Sequence, residues 1–242
     1  MKLIRPILLA LAGLCACLCM LSSIAYTQIT NSAQMLNGFY QFADTSLKDV
    51  PASAYMDYAR AITGYLDGSK ADLTVTAADG TERPGFSDKE LAHMEDVRGI
   101  VRGVNVLRYV TGGIALLTVA VFWAQAQKRE NREAVMRDLL RGTSAGCYIL
   151  LGILLALGIW GAVNFTGLFV TFHKVMFRNS LWLLNPRQDL LIMLMPTPFF
   201  TWYAQQIALA CWPVLALMAA LIAAGIRFGR NRSAGGQKQG RA

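Results

Sequence analysis

Four long apolar runs divide the sequence. They occupy residues 4–25, 104–126, 145–164 and 202–226, and each has about the 20 residues that a helix needs to cross a bilayer. Polar sequence of mixed charge separates the first run from the second, and a short basic stretch separates the second from the third. The pattern predicts an all-α membrane protein with four transmembrane helices.

The spacing of these runs gives eight segments. The predicted helices are residues 1–25, 103–127, 144–165 and 202–226. Between and after them lie a small extracytoplasmic α(+β) domain at 26–102, a basic loop at 128–143, an aromatic-rich interfacial loop at 166–201 and a basic tail at 227–242. The first run is longer than the roughly 7–15 apolar residues of a signal peptide, so we expect it to be retained as a helix.

The distribution of cations predicts the topology. Of 242 residues 55% are hydrophobic and the net charge is +8, which excludes an ordinary soluble domain and does not imply a nucleic-acid partner. The cations concentrate at both termini and in the middle loop, at Lys2, Arg5, Lys128, Arg129, Arg132, Arg137, Arg141, Arg227, Arg230, Arg232, Lys238 and Arg241. The positive-inside rule therefore places both termini in the cytoplasm and residues 26–102 and 166–201 outside.

The domain at 26–102 has recognisable local signals. Apolar and aromatic residues recur at spacings of three and four over residues 31–42 and 52–66, which predicts two helices. Residues 73–76 alternate and predict one short strand, turned back at 78–80. Ser87 followed by Glu90 forms a capping box, so a helix is predicted to start at Asp88 and to continue into the second apolar run.

The chain has only two histidines, and the topology places both outside. His93 has Glu90 at i−3 and Asp96 at i+3, so we expect a carboxylate beside the ring that raises the imidazole pKa above its usual 6.5 or so. A solvated histidine on an ordinary charged helix is the alternative. His173 lies among aromatic residues of the interfacial loop, with Arg178, Trp182 and Asp189. For the aromatic residues alone, an anchoring belt at the membrane surface is the alternative.

Other polar and reactive residues lie in or beside the apolar runs. Arg108 falls about one turn inside the second run and is expected either to reach the interface or to face a polar cavity with Asn105 and Asn164. All five cysteines lie within apolar runs, which favours small hydrophobic side chains over a disulfide framework or a metal site.

Three stretches together resemble one known family. SDKELAHMEDVR at residues 87–98, FHKVMFRNSLW at 172–182 and NPRQDLLIMLMPTPFF at 185–200, within a four-span layout, resemble the lipoprotein intramolecular transacylases, the Lit family of bacterial membrane proteins. Thr197 departs from the pattern, because an acidic residue is expected after the proline.

The resemblance implies an O-to-N acyl transfer. The substrate would be a diacylglyceryl-modified lipoprotein whose sn-2 acyl chain moves to the α-amino group of its N-terminal cysteine, giving a lyso-form lipoprotein. His93 and His173 would be the catalytic pair, supported by Asp96 and Glu90. Substrate-binding candidates are Arg178, Arg108, Asn105, Asp189 and Trp182. No cofactor and no metal are expected, the partners are lipoproteins and membrane lipids, and we expect a monomer.

The chemistry suits two imidazoles. An α-amino group has a pKa of about 8, so a base must help it to attack an ester near neutral pH. We expect His93 to be the base, because carboxylates flank it, and His173 to donate to the oxyanion, although these roles can be exchanged. Two other functions remain open from sequence: a membrane metallohydrolase with an outer His and carboxylate site, and a non-enzymatic accessory protein or receptor.

Overall fold

The described part of the protein is mainly helical. A computed structural model describes residues 4–127 and 132–224, with the side chains of residues 4–6, 125–126 and 132–142 outside the description. The helices are α1 Ile4–Ile29, α2 Ser32–Phe42, α3 Tyr55–Asp67, α4 Asp88–Gln127, α5 Arg132–Val163, α6 Phe165–Met176, α7 Leu190–Leu194, α8 Thr197–Ala210 and α9 Trp212–Ala224. The predicted all-α class is confirmed.

The predicted strand is wrong. Across the described residues the extended structure is limited to one isolated bridge between Thr76 and Glu82. Gly80 has φ 86° and turns the chain between them, as the sequence predicted. A two-stranded pair needs further strands or a covered face to become a stable sheet. Here only one residue pair is formed, so the segment remains a turn.

The predicted helices of the 26–102 segment are confirmed. Asn31 caps α2 by accepting from the backbone N–H groups of Ala33 and Gln34, and α3 ends before Gly68, whose φ of 88° suits glycine. The predicted start of α4 at Asp88 is also confirmed, and the helix continues without a break for 40 residues.

Among the described residues, three helices are long and apolar enough to span a membrane. They are Ile7–Ile29, Asp88–Ala124 and Thr143–Val163, and a fourth span exists if α8 and α9 are counted as one helix bent by 44°. The bend lies at Cys211, just before Pro213, whose ring nitrogen cannot donate the hydrogen bond of a continuous helix. The basic residues used to predict topology lie outside the residues whose side chains are described.

The chain divides into two compact units. One consists of Met1–Ser23, Val106–Ile159 and Cys211–Ala242 and is called the span unit here. In the span unit, α1 and α5 approach closely at Gly13. A Cβ atom at that position would lie only 2.5 Å from the carbonyl oxygen of Thr143. The Sγ atoms of Cys17 and Cys147 are 3.4 Å apart in the same packing, and both cysteines are buried and free.

The histidine unit consists of Ile24–Asn105 and Trp160–Ala210. Its core joins the segment at 26–102 to the segment at 166–201, which was predicted from the sequence to be a separate loop. Phe39 of α2 lies 5.8 Å from Phe199 of α8, and the Tyr203 hydroxyl donates to the carbonyl oxygen of Gln28 at 2.6 Å. The two segments therefore form one folded unit, and this unit carries both histidines.

Candidate functional site

His93 and His173 lie side by side in the histidine unit. Their ring centroids are 6.2 Å apart and the ring planes are inclined by 31°. The two side chains are only 6% and 8% exposed. The two imidazoles are therefore neighbours in one buried site.

The start of α4 holds His93 in place. The Glu90 carboxylate accepts from the backbone N–H and the hydroxyl of Ser87, at 2.7 and 2.8 Å, as a capping box requires. Its other oxygen accepts from the backbone N–H of Leu191 at 2.5 Å. Glu90 is 2% exposed, and the described hydrogen bonds of its carboxylate go to Ser87 and Leu191 and not to the imidazole.

His173 is oriented by its own helix. Asn164 caps α6 by accepting from the N–H of Gly167, and Nδ1 of His173 lies 2.8 Å from the carbonyl oxygen of Phe169, one turn earlier. A carbonyl oxygen can only accept, so Nδ1 carries the proton and Nε2 of the neutral ring is a free acceptor. His173 is thereby fixed in the tautomer that a general base needs.

Four aromatic rings surround His173 and form what we call the aromatic cage. The distances from their centroids to the imidazole centroid are 4.2 Å for Phe169, 5.1 Å for Trp182, 5.4 Å for Phe172 and 5.5 Å for Phe177. Phe177 also contacts His93 edge to face at 5.2 Å. The cage removes the histidine pair from water, as the burial of both rings reflects.

The environment of His93 is opposite to the sequence prediction. Burial lowers its pKa to about 4, with a smaller lowering from His173 and a weaker opposing effect from Asp96. The predicted increase of the pKa is therefore wrong, because the sequence shows the spacing of carboxylates but not the loss of water. Asp96 accepts from the amide of Asn179 at 2.8 Å, and Nδ1 of His93 is buried without a hydrogen-bond partner among the described residues.

Burial also lowers the pKa of His173, although its hydrogen bond to the Phe169 carbonyl opposes the shift. Both rings are therefore neutral near pH 7. Two neutral imidazoles have two N–H groups and two lone pairs. Because the Nδ1–H of His173 binds the Phe169 carbonyl, one N–H and two lone pairs remain for proton transfer at an ester or amide.

The segment after α6 is tied to α4 by three polar contacts. The Lys89 ammonium donates to the carbonyl oxygen of Leu183 at 2.5 Å, in addition to the Glu90 and Asp96 contacts described above. Residues 177–191 carry Phe177 and Trp182, so these contacts hold two walls of the aromatic cage against the helix of His93.

The other predicted site residues are placed differently. Trp182 belongs to the cage and donates from its indole N–H to the Asn179 carbonyl at 3.1 Å. Asp189 accepts from the N–H of Asn185 at 2.6 Å, which orders the turn before α7. Arg178 is exposed. The side-chain oxygen of Asn105 is buried without a hydrogen-bond partner in the described chain, 12 residues along α4 from His93.

Arg108 belongs to the span unit. Its guanidinium lies over the Tyr109 ring at 4.8 Å and donates to the Tyr109 hydroxyl at 3.0 Å.

Asn164 caps α6, which accounts for the presence of a polar residue near the end of the third apolar run. Thr197 is the first residue of α8, where its carbonyl accepts from the Thr201 hydroxyl at 3.1 Å. Among the described side chains, no three His, Cys, Asp or Glu residues cluster as metal ligands do.

Sequence reasoning missed Phe177 and Asn179 as individual residues. The aromatic density of residues 165–203 predicted an interface, but no periodic signal distinguished the one ring that contacts both histidines. Asn179 is equally unmarked, because its partner Asp96 is 83 residues away in the chain.

Comparisons with known proteins relate this chain to one family. The family model described as lipoprotein intramolecular transacylase Lit matches residues 10–200. No curated protein matches the sequence. The solved membrane-integral lipoprotein intramolecular transacylase Lit from Bacillus cereus is 20% identical, with a TM-score of 0.70 over 95% of this chain and 99% of that chain.

Two further structures of the Bacillus cereus protein, each with one histidine replaced, also match. The variant with arginine is 19% identical with a TM-score of 0.58, covering 95% of this chain and 93% of that chain. The variant with alanine is 18% identical with a TM-score of 0.57, covering 95% and 94%. At these identities the structures show a common fold, while the family model covers most of the sequence. The chain belongs to the lipoprotein intramolecular transacylase Lit family.

Proposed function

We propose that this protein moves the sn-2 acyl chain of a diacylglyceryl-cysteine lipoprotein to the α-amino group of the same cysteine. Membership of the Lit family makes it a membrane-integral, lipoprotein-modifying transacylase of bacterial type. The observation that carries the finer proposal is the buried pair of neutral imidazoles, 6.2 Å apart. Such a pair supplies both proton transfers of an ester-to-amide exchange.

His173 is the better base of the two, which reverses the sequence expectation. Its Nδ1–H donates to the Phe169 carbonyl, so Nε2 presents a lone pair and the carbonyl stabilises the imidazolium when it forms. His93, with a pKa of about 4, is a weak base. The carboxylates that favoured His93 bind other groups, so the reason for choosing it no longer applies.

His93 then acts as a neutral hydrogen-bond donor. A buried polar atom without a partner is costly, and its presence in a folded protein calls for an explanation. Nδ1 of His93 is such an atom among the described residues. A substrate carbonyl oxygen would satisfy it, and the interaction would strengthen as that oxygen becomes an oxyanion.

The exchange balances with these two groups alone. The amine nitrogen attacks the sn-2 carbonyl carbon while Nε2 of His173 takes its proton, and His93 holds the oxyanion. The bond from carbon to the glycerol oxygen then breaks, and the imidazolium of His173 returns the proton to that oxygen. An ester and an amine become an amide and a hydroxyl. Because nucleophile and ester belong to one molecule, the protein contributes mainly by fixing an attacking pose.

The topology remains part of the proposal: both termini in the cytoplasm and the histidine unit on the outer face of the cell membrane. A cysteine introduced at exposed Lys48 should react with a membrane-impermeant maleimide in intact cells. A cysteine at Ser233, in the predicted cytoplasmic tail, should react only after lysis. The opposite pattern would place the site inside.

The direct test uses mass spectrometry of a reporter lipoprotein whose sn-2 chain carries an isotopic label, in cells without other N-acylating enzymes. The native protein should yield N-acyl, S-monoacyl lipopeptide with the label on nitrogen, and His93→Ala and His173→Ala should lose it. An unchanged diacylglyceryl product with well-expressed protein would overturn the proposal. Loss of activity with a chelator would favour the metallohydrolase, and full function of both histidine variants would favour an accessory protein or receptor.

A further inference from the structure

We propose that Phe177 determines the acceptor of the acyl chain, by keeping water away from the histidine pair so that the amine alone is acylated. The inference rests on the proposed function, because it concerns which nucleophile that site admits. It assigns to one side chain the choice between transfer and hydrolysis.

Phe177 is the ring common to both histidines. Its centroid lies 5.2 Å from that of His93 and 5.5 Å from that of His173. No other aromatic contact described in the histidine unit joins one residue to both imidazoles, apart from their contact with each other. The Phe177 ring therefore borders the space between the two histidines, where a reacting carbonyl shared by them would lie.

The local sequence turns this ring inward. Phe177 is 6% exposed, whereas all three residues on either side of it, at 174–176 and 178–180, are exposed. Its backbone N–H donates to the carbonyl oxygen of His173 at 2.9 Å, which ends α6 and fixes the ring relative to that histidine. Because its neighbours in the chain are exposed, the burial of Phe177 comes from the packing of its ring against the histidine pair.

Water is a serious competitor at this site. With a pKa of about 8, more than roughly four-fifths of the substrate amine is protonated at pH 7 and cannot attack. While the amine is protonated, the base that would activate it can activate water instead. Hydrolysis would join water oxygen to the acyl carbon and pass a proton to the glycerol oxygen, giving a free fatty acid and an S-monoacyl lipoprotein with a free amine.

The space left by the ring would hold water. A water molecule needs a volume of roughly 30 Å³ and polar partners, and truncation to alanine removes an entire ring. The buried Nδ1 of His93 and the free Nε2 of His173 would line that space as partners. An apolar cavity can remain dry, but one with two imidazole nitrogens is expected to be wet.

The test compares two products from one substrate. Native protein, Phe177→Ala, Phe177→Val and the control Val175→Ala, which is 74% exposed two residues away, are incubated in lipid nanodiscs with a synthetic diacylglyceryl lipopeptide. Amide product and released fatty acid are measured at pH 6 and pH 8. Phe177→Ala should raise the hydrolysed fraction by at least about tenfold, more at pH 6, where the amine is more protonated.

The outcomes separate this inference from the proposed function. If native protein forms no amide, the proposed function fails regardless of the variants. If native protein forms amide and Phe177→Ala loses both products in equal proportion, the ring is only structural and the inference is overturned. If Phe177→Ala does not accumulate in membranes, Phe177→Val decides, and a native product ratio in it overturns the inference. Val175→Ala should keep the native ratio.

Discussion

Nδ1 of His173 donates to the carbonyl oxygen of Phe169 over 2.8 Å, one helical turn earlier in α6. The carbonyl does for His173 what a buried carboxylate does in a catalytic triad: it fixes the tautomer and orients the ring. His93 lacks such a partner at Nδ1. In the proposed mechanism, this difference between two neighbouring imidazoles favours His173 as the base and His93 as the oxyanion donor.

Amide substitutions should separate these two roles. His93→Asn places an amide near the position of Nδ1 and can still donate a hydrogen bond, so it should retain about tenfold more transacylation than His93→Ala. His173→Gln keeps a polar group near Nε2 but cannot take a proton, and should be as inactive as His173→Ala, with a loss of about 10²–10⁴. Initial rates of amide formation measure both.

Matched expression and melting temperature in detergent are the controls for all four variants. The assignment is contradicted if His173→Gln keeps substantial activity while His93→Asn loses it. That result would restore the order of roles expected from sequence.

The rate should depend on pH through the substrate amine, with no second loss at the usual histidine pKa. Below about pH 8 the reactive amine fraction falls tenfold per pH unit, and a base of ordinary pKa would add a second tenfold loss per unit below about 6.5. Burial keeps His93 neutral down to about pH 4 and lowers the pKa of His173 in the same direction. The logarithm of kcat/KM should therefore rise with a slope of one through about pH 6.5, and any second loss from histidine protonation should appear only at lower pH.

If the plot of log kcat/KM against pH breaks near pH 6.5 and has a slope of two below the break, a catalytic histidine has an ordinary pKa, which would contradict this prediction. The same profile for Phe177→Ala is informative, because admitting water weakens the desolvation that lowers both pKa values. In that variant we expect the second slope to appear.

Local signals in the sequence predicted the helices of this fold well. The features that the sequence did not predict depend on contacts between residues far apart in the chain. Ser87 and Glu90 are three residues apart, so the capping box and the helix start were readable from the sequence. The carboxylate of the same Glu90 also binds Leu191, 101 residues away, and no spacing rule shows that. The pKa of His93 was predicted in the wrong direction for the same reason: burial depends on residues 169–182, which approach only after folding.

The hydrogen bond between Asp96 and Asn179 should support the cage from a distance. Asn179→Asp would face one carboxylate with another across 2.8 Å, and the repulsion should loosen the segment that carries Phe177 and Trp182. Activity is expected to fall by about tenfold, as for a misplaced positioning group. Combining it with Asp96→Asn restores an amide and a carboxylate in exchanged order and should recover most activity. Failure of the double variant to recover would contradict the pairing.

Glu90 should contribute stability to the histidine unit. Glu90→Ala removes the capping acceptor of exposed Ser87 and leaves the buried N–H of Leu191 without its acceptor. A buried unsatisfied donor such as the Leu191 N–H costs about 1–3 kcal/mol. Thermal unfolding in detergent should show a clear decrease in melting temperature. Glu95→Ala, at an exposed position of the same helix, should change stability by less than about 0.5 kcal/mol. Equal effects of the two variants would contradict a stabilising role for the hydrogen bond between Glu90 of α4 and Leu191 of α7.

Gly146 should be essential to the packing of α1 against α5 in the span unit. A Cβ atom there would collide with the carbonyl oxygen of Ala10 and lie 2.7 Å from the backbone nitrogen of Leu14. Both are backbone atoms and cannot turn aside, so Gly146→Ala must push the helices apart, at a cost of about 1–3 kcal/mol. Gly152→Ala, on the same helix with no atom within 4 Å of its Cβ, should leave stability unchanged or raise it, since alanine favours helices by about 0.5–1 kcal/mol. Melting temperatures of the two variants in the same detergent give the comparison, and a Gly146→Ala protein as stable as the Gly152→Ala protein would refute the close approach of α1 and α5.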